Sequence, residues 1–187
     1  MEAVKLYING EWSSSSTTET TPVFNPSDGT QIAATPMCGE GEVTQAIDAA
    51  ANAFPAWANT PAVDRARIMF RWVHLMEENF EELSQLVTRE HGKTLEESRG
   101  EIRRGIEVAE FACGAPNLLL GDSLENIARD IDCDTIRQPM GVSVAITPFN
   151  FPFMVPMWTL PVALACGNTF VLNPSERVPL SAIRIGE

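Results

Sequence analysis

The sequence predicts an α/β chain, and three observations carry that prediction. Residues 141–172 read as strand, apolar helix and strand without a single charge. Apolar residues between 43 and 113 recur at helical spacing. Two further regions, near the start and at 126–138, alternate with a period of two.

The uncharged stretch runs from Gln138 to Ser175. A membrane span needs about 20 apolar residues in a row. Here Pro148, Asn150, Pro152, Pro156, Pro161, Gly167 and Asn168 interrupt the run, so a buried βαβ unit is the better reading. Gly141-Val142-Ser143-Val144-Ala145-Ile146 is nearly continuous in apolar character, as parallel strands covered on both faces are. Residues 152–166 make the crossover helix, kinked by prolines and ended by Gly167. Thr169-Phe170-Val171-Leu172 is the next strand, and Pro179 suits the start of another helix. Ligands in open α/β sheets bind outside the carboxyl ends of the strands. That rule singles out two loops, 147–151 and 173–177.

The remaining elements follow in order. Leu6 and Ile8 alternate with polar neighbours, and Asn9-Gly10 is a hairpin turn signal. Residues 25–29 make a second turn between short strands. Val43, Ile47, Ala50, Phe54 and Trp57 share one helical face, which Pro55 should end or bend. Thr60-Pro61 reads as an N-cap and a first-turn proline. One long helical pattern then runs through Ala66, Met69, Val73, Phe80 and Leu83 to Gly92. Thr94-Leu95-Glu96-Glu97 is a capping box. It opens a helix with Leu95, Ile102, Ile106, Ala109 and Cys113 on one face, ended by Gly114 and Pro116. Residues 126–138 form an exposed strand or hairpin suited to pairing.

Composition narrows the function. With 13 basic against 25 acidic residues the net charge is -12, which repels phosphate backbones and anionic lipid. Neither nucleic acid nor a membrane is expected as a partner. Cys38, Cys113, Cys133 and Cys166 form no C-x-x-C pair, and the two histidines, His74 and His91, lie apart from them, so no metal site is expected. Met1-Glu2-Ala3-Val4-Lys5 has no signal-peptide core. The expectation is a cytoplasmic protein with free thiols, or a mitochondrial-matrix one in a eukaryote. Neither standard phosphate-cradling glycine motif occurs, and composition and spacing name no cofactor.

Thr147-Pro148-Phe149-Asn150-Phe151-Pro152, Ala165-Cys166-Gly167-Asn168-Thr169 and Asn173-Pro174-Ser175-Glu176-Arg177 together resemble the aldehyde dehydrogenase superfamily in order and spacing. Ile8-Asn9-Gly10-Glu11-Trp12, Asn25-Pro26 and Glu90-His91-Gly92-Lys93 are similar to that family's front end. The resemblance therefore covers essentially the whole chain. Phe149, where hydrolytic members usually carry Trp, and residues 103–107, 111–122 and 124–129 resemble the CoA-acylating methylmalonate-semialdehyde dehydrogenases.

The resemblance implies a partial doubly wound NAD-binding domain of the Rossmann kind with a β-hairpin oligomerisation arm. Residues 1–120 would be the first part of the NAD-binding domain, 121–139 the arm, and 140–187 the first βαβ of the sheet. Family members are well over twice this length. The chain then reads as an amino-terminal fragment without the nucleophilic cysteine, inactive alone. The implied reaction is oxidation of malonate or methylmalonate semialdehyde by NAD, with loss of carbon dioxide and CoA as acyl acceptor. The implied partners are an aldehyde bearing a carboxylate and further copies in a dimer or tetramer.

Residue by residue, the resemblance makes Asn150 the oxyanion-hole amide. Thr147 and Phe149 would line NAD, and Glu176 would accept from the adenosine ribose, with Arg177 in the same loop. Asn173 departs from the family's Lys at a ribose contact. A charge-assisted hydrogen bond is worth about 1.5–3 kcal/mol against roughly 1 for a neutral one, so weaker NAD binding is expected. Arg104 would hold the substrate carboxylate. The plainer readings are an Asn150 satisfying its own loop backbone, a Glu176–Arg177 pair capping the Pro179 helix, and a solvated Arg104. Cys113 and Cys166 read as core residues. Two other functions stay open: a hydrolytic semialdehyde or aldehyde dehydrogenase, or a non-enzymatic product that binds full-length subunits.

Overall fold

The computed structural model describes residues 3–187. Met1 and Glu2, on which the reading of the chain start partly rests, lie outside the described residues.

Two small hairpins come first. β1 (Leu6–Ile8) and β2 (Glu11–Ser13) pair antiparallel. Asn9 and Gly10 between them both have positive φ, 55° and 79°, as a two-residue turn that follows strand twist requires. β3 (Thr20–Phe24) pairs with β4 (Gln31–Pro36) across the 25–29 turn.

A helical layer follows: α1 (Glu40–Asn59), α2 (Ala62–Glu78), α3 (Phe80–His91), α4 (Leu95–Cys113) and the short α5 (Ala115–Leu118). The capping box before α4 is present, with the Glu97 amide donating to Thr94 Oγ1 at 3.3 Å and Glu97 Oε2 accepting the Thr94 amide at 3.0 Å. β5 (Ser123–Ala128) and β6 (Ile131–Asp134) make an antiparallel hairpin whose residues are all exposed.

β7 (Val142–Ile146), α6 (Met154–Ala165) and β8 (Thr169–Asn173) form the expected parallel βαβ unit, with Val142 opposite Thr169 and Ile146 opposite Asn173. α7 (Leu180–Gly186) closes the described chain. The main core lies between helices: Leu83, Val87, Ile102, Ile106, Phe153 and Met157 are buried together. α6 packs on α4, and α7 packs on α3.

Several elements differ from the sequence reading. α1 continues through Pro55 to Asn59. A proline removes one helical hydrogen bond, but other donors fasten this end. Trp57 Nε1 donates to the Leu164 carbonyl at 2.9 Å, and Arg65 donates to the carbonyls of Ala58 and Thr60. Thr60 ends α1 rather than capping α2; its hydroxyl donates back to Ala56 at 3.1 Å, and α2 begins behind Pro61 without a side-chain cap. The single long pattern from 62 to 92 is two helices broken at Asn79, whose side-chain amide donates to the Leu75 carbonyl at 2.8 Å.

The apolar stripe of α1 is half open, with Val43 and Ile47 both exposed. β7 is not covered on both faces either: Val144 and Ile146 share a strand face and are 56% and 80% exposed. α1 and α6 both pack on the β7–β8 pair, and no element among the described residues lies over that face.

Candidate functional site

The carboxyl ends of β7 and β8 lie side by side. Beyond the last ladder pair, the Thr147 amide donates to the Asn173 carbonyl at 3.0 Å. Thr147 is buried and Asn173 exposed. This one bond joins the two loops that the strand-end rule selected.

Phe149 and Asn150 project from the first loop and are exposed. Asn150 is engaged through its backbone: its carbonyl accepts from Lys93 Nζ at 2.7 Å. Neither its side-chain amide nor that of Asn173 makes a hydrogen bond among the described residues.

The second loop carries Glu176 and Arg177. Glu176 Oε2 accepts from Ser175 Oγ at 3.3 Å, and Arg177 Nε stands 3.6 Å from Oε1. The Glu176 carbonyl accepts from Thr35 Oγ1 at 2.8 Å, which ties the loop to β4. The Arg177 guanidinium lies 5.4 Å from the centre of the Phe149 ring. The two loops thus meet a second time, through side chains.

A buried glutamate holds the start of the helix that follows each loop. Glu101, on α4, is 1% exposed, and its Oε1 accepts the amides of Phe153 and Met154 at 2.9 and 3.2 Å. Its other oxygen accepts from Lys93, whose ammonium sits 3.8 Å over the Phe151 ring. Glu90, near the end of α3, is 2% exposed and accepts the Leu180 and Ser181 amides at 2.7 and 2.9 Å, along with the Ser181 hydroxyl. A carboxylate at a helix start satisfies free amides and suits the positive end of the helix dipole. The α7 cap is therefore Glu90, which leaves the Glu176 carboxylate outside the helix. Burial pushes the Glu90 carboxyl up to about 6, although the Ser181 and Leu180 hydrogen bonds oppose the rise.

The opposite helix ends receive a buried cation. Arg65 donates to Ala165 at the end of α6 at 2.9 Å and to Ala58 and Thr60 at the end of α1. No carboxylate pairs with it among the described residues. Burial lowers its affinity for the proton.

Arg104 is not brought to the loops by any contact. It is exposed, and its Nε donates to its own helix, to the Gly100 carbonyl at 3.2 Å. It does stand one turn beyond Glu101, on the helix that receives α6. The neighbouring Gly105 lies under the Phe153 ring.

The sequence reading missed Glu90, Lys93 and Glu101 as functional supports. One signal was available: Glu101 falls on a stripe with Ser98, Gly105, Ala109 and Ala112, all buried. A carboxylate among small buried residues needs donors from elsewhere. All four cysteines are free thiols, and burial raises Cys113 and Cys166 above the usual thiol range. Among the described residues no group of three or more His, Cys, Asp or Glu is placed to hold a metal ion. No described helix is long and apolar enough to cross a membrane.

The aldehyde dehydrogenase family matches residues 12–187. Malonate-semialdehyde dehydrogenase 1 of Geobacillus kaustophilus is 52% identical over 184 residues, covering 98% of this chain and 38% of the relative. A malonate-semialdehyde dehydrogenase of Bacillus cytotoxicus is 48% identical over the whole chain and again covered to 38%. Among solved structures, the methylmalonate-semialdehyde dehydrogenase DddC of Oceanimonas doudoroffii superposes with a TM-score of 0.95 at 46% identity, over 99% of this chain and 38% of its own. A Sinorhizobium meliloti protein described as a methylmalonate-semialdehyde dehydrogenase and complexed with NAD gives 0.94 at 40% identity, over 97% and 37%. The chain thus spans about 38% of the length of the curated relatives it matches.

Proposed function

The chain belongs to the aldehyde dehydrogenase family, and we propose that it forms the amino-terminal part of an NAD-dependent, CoA-acylating malonate- or methylmalonate-semialdehyde dehydrogenase. One observation carries the reading. The Thr147–Asn173 hydrogen bond sets the Asn150 and Glu176 loops together at the strand ends, with the Asn150 and Asn173 amides uncommitted.

The residues fit NAD. Ile146 and Phe149 are exposed apolar residues at and just past the end of β7, and the Glu176 carboxylate in the second loop can accept from a ribose diol. Thr147 and Asn173 are joined at the strand ends, and Arg177 stacks on the Phe149 ring from the second loop. Bound there, NAD would supply the hydride acceptor.

The Asn150 side-chain N–H would donate to the aldehyde oxygen as it becomes negative. Arg104 would hold the substrate carboxylate through its planar fork. None of Cys38, Cys113, Cys133 and Cys166 is assigned as the nucleophile. The exposed β5–β6 hairpin, with Leu124, Ile127 and Ile131 in the open, suits an arm that joins copies into a dimer or tetramer. Free thiols suit a reducing cytoplasm or a mitochondrial matrix.

NADH formation by the full-length enzyme from malonate semialdehyde, with and without CoA, tests the proposal. Turnover that requires CoA is the expected result, and equal turnover without it points to a hydrolytic enzyme. Arg104→Leu should raise KM for aldehydes bearing a carboxylate and spare the others; a uniform loss counts against its role. The 187-residue chain alone should form no NADH, and clean production by it would overturn the assignment of the nucleophile.

A further inference from the structure

Lys93 stands in the link between α3 and α4, and Glu101 lies within α4. Together they hold the backbone of residues 150–154 at several points. Lys93 donates to the Asn150 carbonyl at 2.7 Å and covers the Phe151 ring. Glu101 accepts the Phe153 and Met154 amides and the Lys93 ammonium. A peptide group is planar, so a held carbonyl restrains the plane that follows Asn150 and restricts that residue's ψ. The start of α6 fixes the other end of the loop.

An N-cap side chain reaches only the N2 and N3 amides, and the Phe153 and Met154 amides that Glu101 accepts, at the N-cap and N1, lie outside that reach. Here the N-cap is Phe153, with no side-chain cap, and a carboxylate is buried from another helix instead. Burying a carboxylate is costly unless charge and hydrogen bonds both compensate. The compensating cation is the one that grips Asn150.

We propose that Lys93 and Glu101 are positioning residues for the Asn150 side chain, acting through the Asn150 carbonyl and the first amides of α6. The proposal rests on the reading of Asn150 as the amide that meets the developing oxyanion. It predicts that losing Lys93 harms turnover only by way of Asn150.

The test compares Lys93→Met, Lys93→Arg, Asn150→Ala and the Lys93→Met/Asn150→Ala double variant in the full-length enzyme. Steady-state rates and NAD titration are the readouts. Asn150→Ala should lower kcat about 100-fold or more, as loss of an oxyanion donor does. Lys93→Met should lower kcat at least tenfold with NAD affinity within twofold. The double variant should be no slower than Asn150→Ala alone, and Lys93→Arg should recover part of the loss. Additive losses in the double variant, or wild-type kcat in Lys93→Met, would overturn the positioning role and leave the Asn150 reading standing. Wild-type kcat in Asn150→Ala would overturn both. Should Lys93→Met fold poorly, hydrogen exchange in Glu101→Gln decides: faster exchange at 151–154 with 102–106 still protected is expected, and unchanged exchange at 151–154 counts against the proposal.

Discussion

The Phe153 ring occupies the space over Gly105 that a side chain would fill. A Cβ at Gly105 would meet Phe153 Cε1 at 2.5 Å and Cδ1 at 2.8 Å, and Phe153 is buried. This close approach lets the first turn of α6 dock on α4. Gly105→Ala gains about 1 kcal/mol of helix propensity, but overpacking a filled core costs about 1–3 kcal/mol. The expected outcome is a net loss of stability in urea unfolding. A stabilised variant would show that the ring yields.

Arg65 is predicted to be irreplaceable by Lys. Its guanidinium spreads over the carbonyl ends of two helices, at Ala165 and at Ala58 and Thr60. An ammonium cannot span that fork. Both Arg65→Lys and Arg65→Met should lose about 2–4 kcal/mol in urea unfolding, because buried carbonyls are left without donors. A neutral Arg65→Lys would refute the capping role.

Glu90 makes a pH-dependent contribution whose sign is opposite to that of most carboxylates. Burial raises it from 4.5 to about 6 in the folded chain. The folded state therefore binds more proton than the unfolded one between those values. The stability it contributes is present below pH 4.5 and is lost as pH rises through 6. The change amounts to about 2 kcal/mol. Surface carboxylates such as Glu42, held down to about 2 chiefly by the Ser15 hydroxyl, titrate the other way and mask it. The difference between wild type and Glu90→Gln isolates it: between pH 4.5 and 7, wild type should lose stability relative to the variant. Parallel curves would rule out a raised Glu90.

Asn173→Lys should tighten NAD binding to the full-length enzyme. The side chain of Asn173 is free at the end of β8, beside Thr147. A lysine there replaces a neutral donor with a charged one, a gain of about 0.5–2 kcal/mol or roughly 2–30-fold in Kd. Isothermal titration checks it. Equal affinities would show that position 173 does not reach the ribose.

Local rules read much of this fold from sequence. The Asn9-Gly10 turn, the Thr94 capping box, the α4 stripe and the parallel pair at 142–173 all follow from patterns that a few neighbouring residues complete. The errors share a cause. Pro55 should end or bend α1; the helix runs on to Asn59, where Trp57 and Arg65 bring donors from α1's own last turn and from α2 to hold its end. Asn79 breaks a helical period that apolar spacing alone carries straight through. The strand-end rule located both site loops, yet it could not show what fastens them. Glu90 and Glu101 on their helices, and Lys93 in the α3–α4 link, show what they hold only once α6 and α7 pack beside them. Arg104 is exposed and donates within its own helix.

The two buried glutamates also set a timetable. Glu90 leaves the ribosome 91 positions before its partner Ser181. At 5–20 residues per second that is roughly 5–18 s. For that interval the carboxylate lacks its α7 donors, so water must keep it and the face of α3 that receives α7 stays undocked. The helical layer is made before the helices that close over its buried glutamates. Chains arrested at residue 150 should leave α3 and α4 open to protease, and chains extended past 181 should protect them.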